Sequence, residues 1–114
     1  MQYSGIVQKG HQLGEEFGFP TVNIPLTDTE VSGVYAARVK VGEEEYEAVA
    51  FADQVRHLLE AHLLDFSADL YGWNVKIELL EKIRDRKKFS GDAQARAMIA
   101  DDIMKVRAYF SKRE

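Results

Sequence analysis

The sequence contains no cysteine and no long apolar run. The lack of cysteine excludes a disulfide scaffold, a thiolate zinc site and a cysteine nucleophile. A membrane-spanning helix needs about 20 consecutive apolar residues, and no segment approaches that length. The opening MQYSGIVQKG also lacks the apolar region of a secretion signal. These absences predict a cytoplasmic protein that makes no contact with a membrane.

Positive charge is not in excess either. The chain has 15 Lys and Arg against 19 Asp and Glu, a formal net charge of −4. General polyanion binders carry the opposite balance, so nucleic acid is not expected as a partner. Any phosphate site must be local, built from backbone amides, a metal ion or a few cations.

The composition provides for a folded core. With 114 residues, of which 46% are hydrophobic, the chain is large enough for one domain and too apolar to be disordered. We expect a single domain over residues 1–114, and we expect it to be a monomer.

Period-two alternation predicts β-strands over most of the chain. In GVYAARVKV, which opens at Gly33, the side chains at even and odd positions alternate in the manner of a strand. The turn GEEE follows, and then a hairpin partner over Tyr46–Phe51. The same criteria predict further strands at Tyr3–Gln8, Thr21–Ile24 and Trp73–Leu80.

Residues 55–66, VRHLLEAHLLDF, are compatible with two structures. Leucine, alanine and glutamate favour a helix. As a strand, the segment would place Leu59 and Ala61 on one face, with Glu60 and His62 on the other. The neighbouring hairpins favour a strand for its later part.

A helix is predicted from Gly91 to Phe110. Ser90 is a candidate N-cap, and apolar residues recur at helical spacing at Ile99, Ile103, Val106 and Phe110, with Met98 beside them. Antiparallel strands followed by one helix predict a mainly β fold, a small closed barrel with a C-terminal α-helix packed against it.

Two motifs are candidates for phosphate and metal binding. Gly10, Gly14 and Gly18 would let backbone amides approach a phosphate, although the spacing alone favours an ordinary flexible loop. Thr21 and Asn23 in GFPTVN share one face of a strand. Two neutral oxygens suit Mg²⁺ when phosphates and water provide its other ligands, and turn hydrogen bonds are the alternative.

Glu60 is the candidate general base, because it lies in an apolar run where a carboxylate is partly shielded from water. A solvated edge glutamate is the alternative. His57, Glu60, His62 and Asp65 do not converge on one metal in either secondary structure, so no histidine metal site is expected. The basic run KIRDRKK is interpreted as a solvated face, with Arg84 the exception that could reach a ligand.

Taken together, the segments SGIVQKG, LGEEFGFPTVNIP, SGVYAARV, LEAHLLDFSADLYG and IRDRKKF resemble the riboflavin kinase (flavokinase) family. They occur in family order and cover almost the whole chain. The resemblance implies a six-stranded antiparallel Greek-key barrel with a C-terminal helix. It also implies transfer of the ATP γ-phosphate to the 5′-hydroxyl of riboflavin, so that riboflavin/FMN, ATP/ADP and Mg²⁺ are the expected ligands.

The resemblance also assigns roles to residues. Thr21 and Asn23 match the pair that binds Mg²⁺ and the nucleotide phosphates, and Glu60 matches the proposed base. The nucleotide and flavin contacts that it implies further involve Gly10, Gly14, Gly18, Pro20, Arg84 and Phe89.

Two differences from the family pattern support a second hypothesis, a flavin- or nucleotide-binding barrel that is impaired in catalysis. Glu15 stands where family members usually carry arginine. The family segment resembling G-x-R-P-T before Glu60 is missing, since AVAFADQVRHLLEAH continues almost directly.

Overall fold

The computed structural model describes residues 1–8, 21–65, 70–88 and 90–112. Within them lie six strands and one helix. The elements are β1 (Gln2–Ile6), β2 (Thr21–Pro25), β3 (Gly33–Val41), β4 (Glu44–Asp53), β5 (Leu58–Leu63), β6 (Asn74–Arg84) and α1 (Asp92–Ser111).

The six strands form one antiparallel sheet in the order β1-β6-β3-β4-β5-β2. Strands β3, β4 and β5 are consecutive neighbours, and β6 returns beside β3, which is the Greek-key arrangement. The two outer strands approach each other, because the Gln8 N–H donates to the Asn23 carbonyl at 2.7 Å. The sheet is therefore a nearly closed barrel, as the sequence predicts.

The alternation along each strand divides the apolar residues between two cores. Val39 of β3, Ile24 of β2 and Leu59 of β5 point into the barrel interior. Val34 and Ala36 of β3 point outward and pack under the helix. The helix contributes the stripe that its sequence predicts, with Ile99, Ile103, Val106 and Phe110 buried against the barrel.

Three boundary predictions need correction. Strand β1 ends at Ile6 rather than Gln8, β4 extends over Glu44–Asp53, and β6 continues to Arg84. The extension of β6 follows β3 through two register shifts near Val34 and Ala36, and such irregularities leave no clear mark on a period-two pattern.

The predicted N-cap was also wrong. The cap residue of α1 is Gly91, with φ of 131°, a conformation that favours glycine. Ser90 lies one residue earlier, and its backbone N–H and hydroxyl both donate to the Gln94 side-chain oxygen at 2.5 and 2.9 Å.

A buried ion pair connects the helix to the barrel. Arg84, at the end of β6, donates from Nε and Nη2 to the two carboxylate oxygens of Asp102 at 2.7 and 2.8 Å. Asp102 is fully buried on α1, and the Arg84 side chain is mostly buried. A two-pronged contact of this kind fixes orientation as well as distance, so the pair sets where the helix lies on the barrel.

Gly33 provides the first stability prediction. Its φ is +98°, and a Cβ there would lie 2.5 Å from the Arg84 carbonyl oxygen. We expect Gly33→Ala to lower the free energy of unfolding by about 2 kcal/mol or more, since strain and a backbone clash add. Gly42→Ala is the matched control: φ is +61° but no atom lies within 4 Å, so only strain of about 1 kcal/mol is expected. Urea denaturation followed by circular dichroism measures both, and equal losses would contradict the clash.

Asp102 provides the second stability prediction. We expect Asp102→Ala to lower the free energy of unfolding by about 3–5 kcal/mol, because it leaves the Arg84 guanidinium buried without its partner. The neighbouring Asp101→Ala removes an exposed pair with Lys105 and should cost less than about 1 kcal/mol. The same denaturation experiment compares them. Similar small losses would show that Arg84 reaches water when Asp102 is removed.

Candidate active site

Four polar side chains share the outer face of β2 and β5. In the antiparallel register, Thr21 lies opposite His62 and Asn23 lies opposite Glu60. Their chain neighbours point into the barrel interior, so alternation directs these four to the other side. All are buried, with exposed fractions of 8% for Thr21, 0% for Asn23, 4% for Glu60 and 1% for His62.

Most of the polar atoms in this group have no hydrogen-bond partner among the residues that the structure describes. They are Thr21 Oγ1, Asn23 Oδ1 and Nδ2, Glu60 Oε2 and His62 Nδ1. A buried polar group without a partner costs about 1–3 kcal/mol, and such groups are uncommon in folded proteins. Several on one face are typical of a binding site.

The chemistry of this donor set fits a divalent cation. Thr21 Oγ1 and Asn23 Oδ1 are neutral oxygens on alternate residues of one strand, and both lack a described partner. Mg²⁺ takes few ligands from the protein and completes its shell with substrate phosphates and water. A histidine centre is a different matter: no group of three or more His, Asp or Glu residues in the described ranges could hold a metal.

Glu60 has one engaged oxygen and one unpaired oxygen. Its Oε1 lies 2.9 Å from His62 Nε2, while its Oε2 has no described partner. The Phe51 ring packs on the His62 ring, with centroids 4.7 Å apart. Glu60 is therefore a buried carboxylate held in place on one side, as a general base requires.

A cavity of about 400 Å³ lies beside Glu60 and His62. Its walls come from β3, β4 and β5, from Arg84 at the end of β6, from residues 86–88 that follow, and from Ile99 of α1. The helix and the barrel thus line it together. Thr21 and Asn23 are not part of its lining, so Glu60 lies between the cavity and the Thr21–Asn23 pair.

The charged residues around the cavity differ in how far they are already paired. Asp53 and Arg56 form an ion pair at 2.7 Å. Burial alone would raise the pKa of Asp53, but hydrogen bonds from Arg56 and Val55 bring it below its ordinary value. The Arg84 guanidinium is held by Asp102.

The cations after β6 are the exposed ones. Arg86, Lys87 and Lys88 are exposed and line the cavity. The basic run is therefore solvated, as the sequence analysis preferred, and it also faces the candidate site. Arg84, which that analysis singled out, also lines the cavity, but with its guanidinium on Asp102.

The structure brings three of the predicted site residues together, namely Thr21, Asn23 and Glu60. Arg84 lines the cavity near them. The other predicted ligand contacts, Gly10, Gly14, Gly18, Pro20 and Phe89, lie outside the described residues, as does Glu15.

Sequence reasoning missed His62 as a partner of Glu60, because it considered histidines only as metal ligands. The signal was present: Glu60 and His62 are two residues apart in a strand and so share a face. His57, by contrast, lies exposed in the turn before β5 with φ of 56°. Asp102 was missed as well, although it lies within the apolar stripe of the helix.

The family of riboflavin kinases matches this architecture. The Flavokinase family model, described as riboflavin kinase, matches residues 1–110. The bifunctional riboflavin kinase/FMN adenylyltransferase of Escherichia coli K12 is 39% identical over 94% of this chain and 37% of its own length. The protein of the same name from Bacillus subtilis 168 is 33% identical over 94% of this chain and 38% of its own length. The chain thus spans little more than a third of these relatives.

A solved structure gives the same fold. It is a crystal structure described as a macrolide-efflux protein from Streptococcus pneumoniae, with a TM-score of 0.77 and 28% identity. The match covers 93% of this chain and 36% of the other. In the ranges described here, no helix has the length and apolar character to cross a membrane. The family match, the relatives and the shared fold agree with one another, and the chain belongs to the riboflavin kinase family.

Proposed function

We propose that this protein is a riboflavin kinase, which transfers the γ-phosphate of ATP to the 5′-hydroxyl of riboflavin and releases FMN and ADP. The observation that carries the proposal is the position of Glu60. Glu60 lines the cavity and lies opposite Asn23 in the strand register. Its Oε2 has no partner among the described residues, and neither have Thr21 Oγ1 and Asn23 Oδ1. Family membership points to the same reaction. The proposal covers kinase activity alone and the domain formed by residues 1–114.

On the β2 side, Thr21 Oγ1 and Asn23 Oδ1 would hold Mg²⁺ together with the nucleotide phosphates. The metal would offset the negative charge that repels an incoming hydroxyl. A site with neutral protein ligands leaves the cation's charge for the phosphates. Through the resemblance we also assign nucleotide contacts to Gly10, Gly14, Gly18 and Pro20.

On the cavity side, the acceptor would bind with its hydroxyl at Glu60 Oε2. The cavity, of about 400 Å³, falls in the usual range for small-molecule sites. Phe51 and Val34 contribute apolar wall to it, which suits a planar ring system. Through the resemblance, Arg84 and Phe89 are assigned to this side as well.

Glu60 would then act as general base. The riboflavin hydroxyl gives its proton to Oε2 while its oxygen forms a bond to the γ-phosphorus. The bond from that phosphorus to the bridging oxygen breaks, and the electron pair leaves with ADP. Phosphoryl transfer depends mainly on alignment and charge stabilisation, and one aligned carboxylate, two metal ligands and a cavity for the acceptor would supply both.

The connection between β4 and β5 is only four residues long, Gln54 to His57. The sequence assigns the missing family segment to this connection. Its absence removes none of the four buried polar side chains, and Asp53 and Arg56 close the turn with their ion pair. This is why we propose the active enzyme rather than an impaired binding barrel.

The first test of this function is turnover. We expect the protein to convert riboflavin and MgATP to FMN over many cycles, detected by chromatography. Glu60→Gln should lower kcat by about 10²–10⁴, because the amide cannot accept the proton. Glu45→Gln, at an exposed position of β4, is the control and should leave kcat unchanged. Binding of both ligands without FMN formation would instead show a binding barrel.

The second test separates the two sides of the site. We expect Thr21→Val and Asn23→Ala to weaken MgADP binding about tenfold or more, while riboflavin binding changes little. Thr21→Val should not lower the free energy of unfolding of the ligand-free protein, since it replaces an unpaired buried hydroxyl. Calorimetric titrations with MgADP and riboflavin measure the first effect, and urea denaturation measures the second. Thr27→Ala, on an exposed loop, is the control. Equal loss of both ligands, or a loss of stability, would indicate a structural role for Thr21.

A further inference from the structure

We propose that His62 is a positioning residue for the phosphoryl transfer: it holds Glu60 Oε1 so that Oε2 alone faces the acceptor hydroxyl. The inference rests on the proposed function, because Glu60 is the base of that reaction. The family match identifies the domain; it is the contact between these two side chains that carries this inference.

The contact is short, local and shielded from water. His62 Nε2 lies 2.9 Å from Glu60 Oε1, and the two side chains are 1% and 6% exposed. The residues are two positions apart in β5, so the strand itself places both on one face. A hydrogen bond to an ionised group is stronger than one between neutral groups, and a buried one is weakened little by solvent.

The hydrogen bond also decides which ring nitrogen carries the proton. An ionised carboxylate can only accept, so His62 must donate from Nε2. In the neutral ring Nδ1 is then an acceptor, and it has no partner among the described residues. The neighbouring Phe51 ring, with its centroid 4.7 Å away, limits rotation of the imidazole.

The two carboxylate oxygens of Glu60 therefore differ in their hydrogen bonding. Oε1 is occupied by His62, whereas Oε2 is unpaired. When the hydroxyl gives its proton to Oε2, Oε1 remains an acceptor, so the bond from His62 persists through the step. His62 therefore keeps its own proton throughout. Its role is to fix the direction of Oε2, and positional errors of about 1 Å in such groups can lower rates by about 10².

Other charged groups lie around the same cavity, and none of the described ones takes this role. Arg84 is held by Asp102 and Arg56 by Asp53. Arg86, Lys87 and Lys88 are exposed to solvent. His62 is the group that bonds Glu60 in the described part of the chain.

Kinetics on the 114-residue protein test the role. We expect His62→Phe, which keeps a ring against Phe51 but removes the donor, to lower kcat by about 10- to 100-fold. The KM values for riboflavin and MgATP should stay within about twofold. His62→Gln should restore kcat to within about fivefold of the parent, because its amide N–H can donate to Oε1. His57→Asn, in the exposed turn, is the control with unchanged kinetics. An unchanged kcat in His62→Phe, or no rescue by glutamine, would overturn the proposal.

Nitrogen NMR tests the contact without relying on turnover. The imidazole ¹⁵N shifts of His62 should show the proton on Nε2 in the parent, and this pattern should change in Glu60→Ala. If His62→Phe does not fold, His62→Leu takes its place in the kinetics, and the NMR result stands by itself. A proton on Nδ1 alone would overturn the proposal. If the unmodified protein makes FMN and His62→Phe leaves kcat unchanged, only the positioning role is rejected. If the unmodified protein makes no FMN, the proposed function is rejected, and the positioning role with it.

Discussion

The antiparallel register between β2 and β5 is the constraint on which both the core and the candidate site depend. Opposite pairs alternate between the two faces of the sheet. One register therefore directs the apolar side chains into the barrel, namely Val22, Ile24, Leu59 and Ala61. The same register places Thr21 beside His62 and Asn23 beside Glu60 on the outer face. A slip of one residue would exchange the faces, moving the apolar set out of the barrel interior and the polar set into it. Burial of the apolar residues therefore fixes the register, and the register fixes the positions of the four polar side chains.

The arrangement has a thermodynamic cost that the rest of the fold must offset. Five polar atoms of these side chains are buried without described partners, each worth about 1–3 kcal/mol of lost stability. The barrel interior and the layer beneath the helix supply the opposing term, since their apolar side chains are almost completely buried. A ligand that satisfies the same atoms would recover part of that cost, so stability and binding are coupled through this face.

The fold could be read from the sequence where local pattern decides structure. Alternation in GVYAARVKV predicted β3, and the helical spacing of Ile99, Ile103 and Val106 predicted α1. The structure also settles the ambiguous segment 55–66, where helix propensity competed with alternation: residues 54–57 form a turn and 58–63 a strand. Burial on both sides of β5 outweighed propensity there.

Features that depend on distant residues could not be read in this way. Asp102 lies 18 positions from Arg84, and nothing local indicates that an aspartate in an apolar stripe will meet an arginine at the end of β6. The extra length of β6 depends on register shifts against β3. Likewise the sequence placed Thr21 and Asn23 on one face of a strand, but their burial beside Glu60 emerges only from the pairing of β2 with β5.

Charge around the cavity differs from the charge of the whole chain. The net charge of −4 argues against general affinity for polyanions. At the cavity, however, Asp53 is paired with Arg56, and Arg84 is paired with Asp102. Among the described residues of the lining, the charged side chains outside these pairs are the buried Glu60 and the exposed Arg86, Lys87 and Lys88. A cleft with such a balance concentrates anions locally while the rest of the surface repels them. The ion pairs thus have a second role besides fixing the helix and the turn. Because they neutralise Asp53 and Asp102, the electrostatic potential at the site is determined mainly by the cationic residues 86–88 after β6.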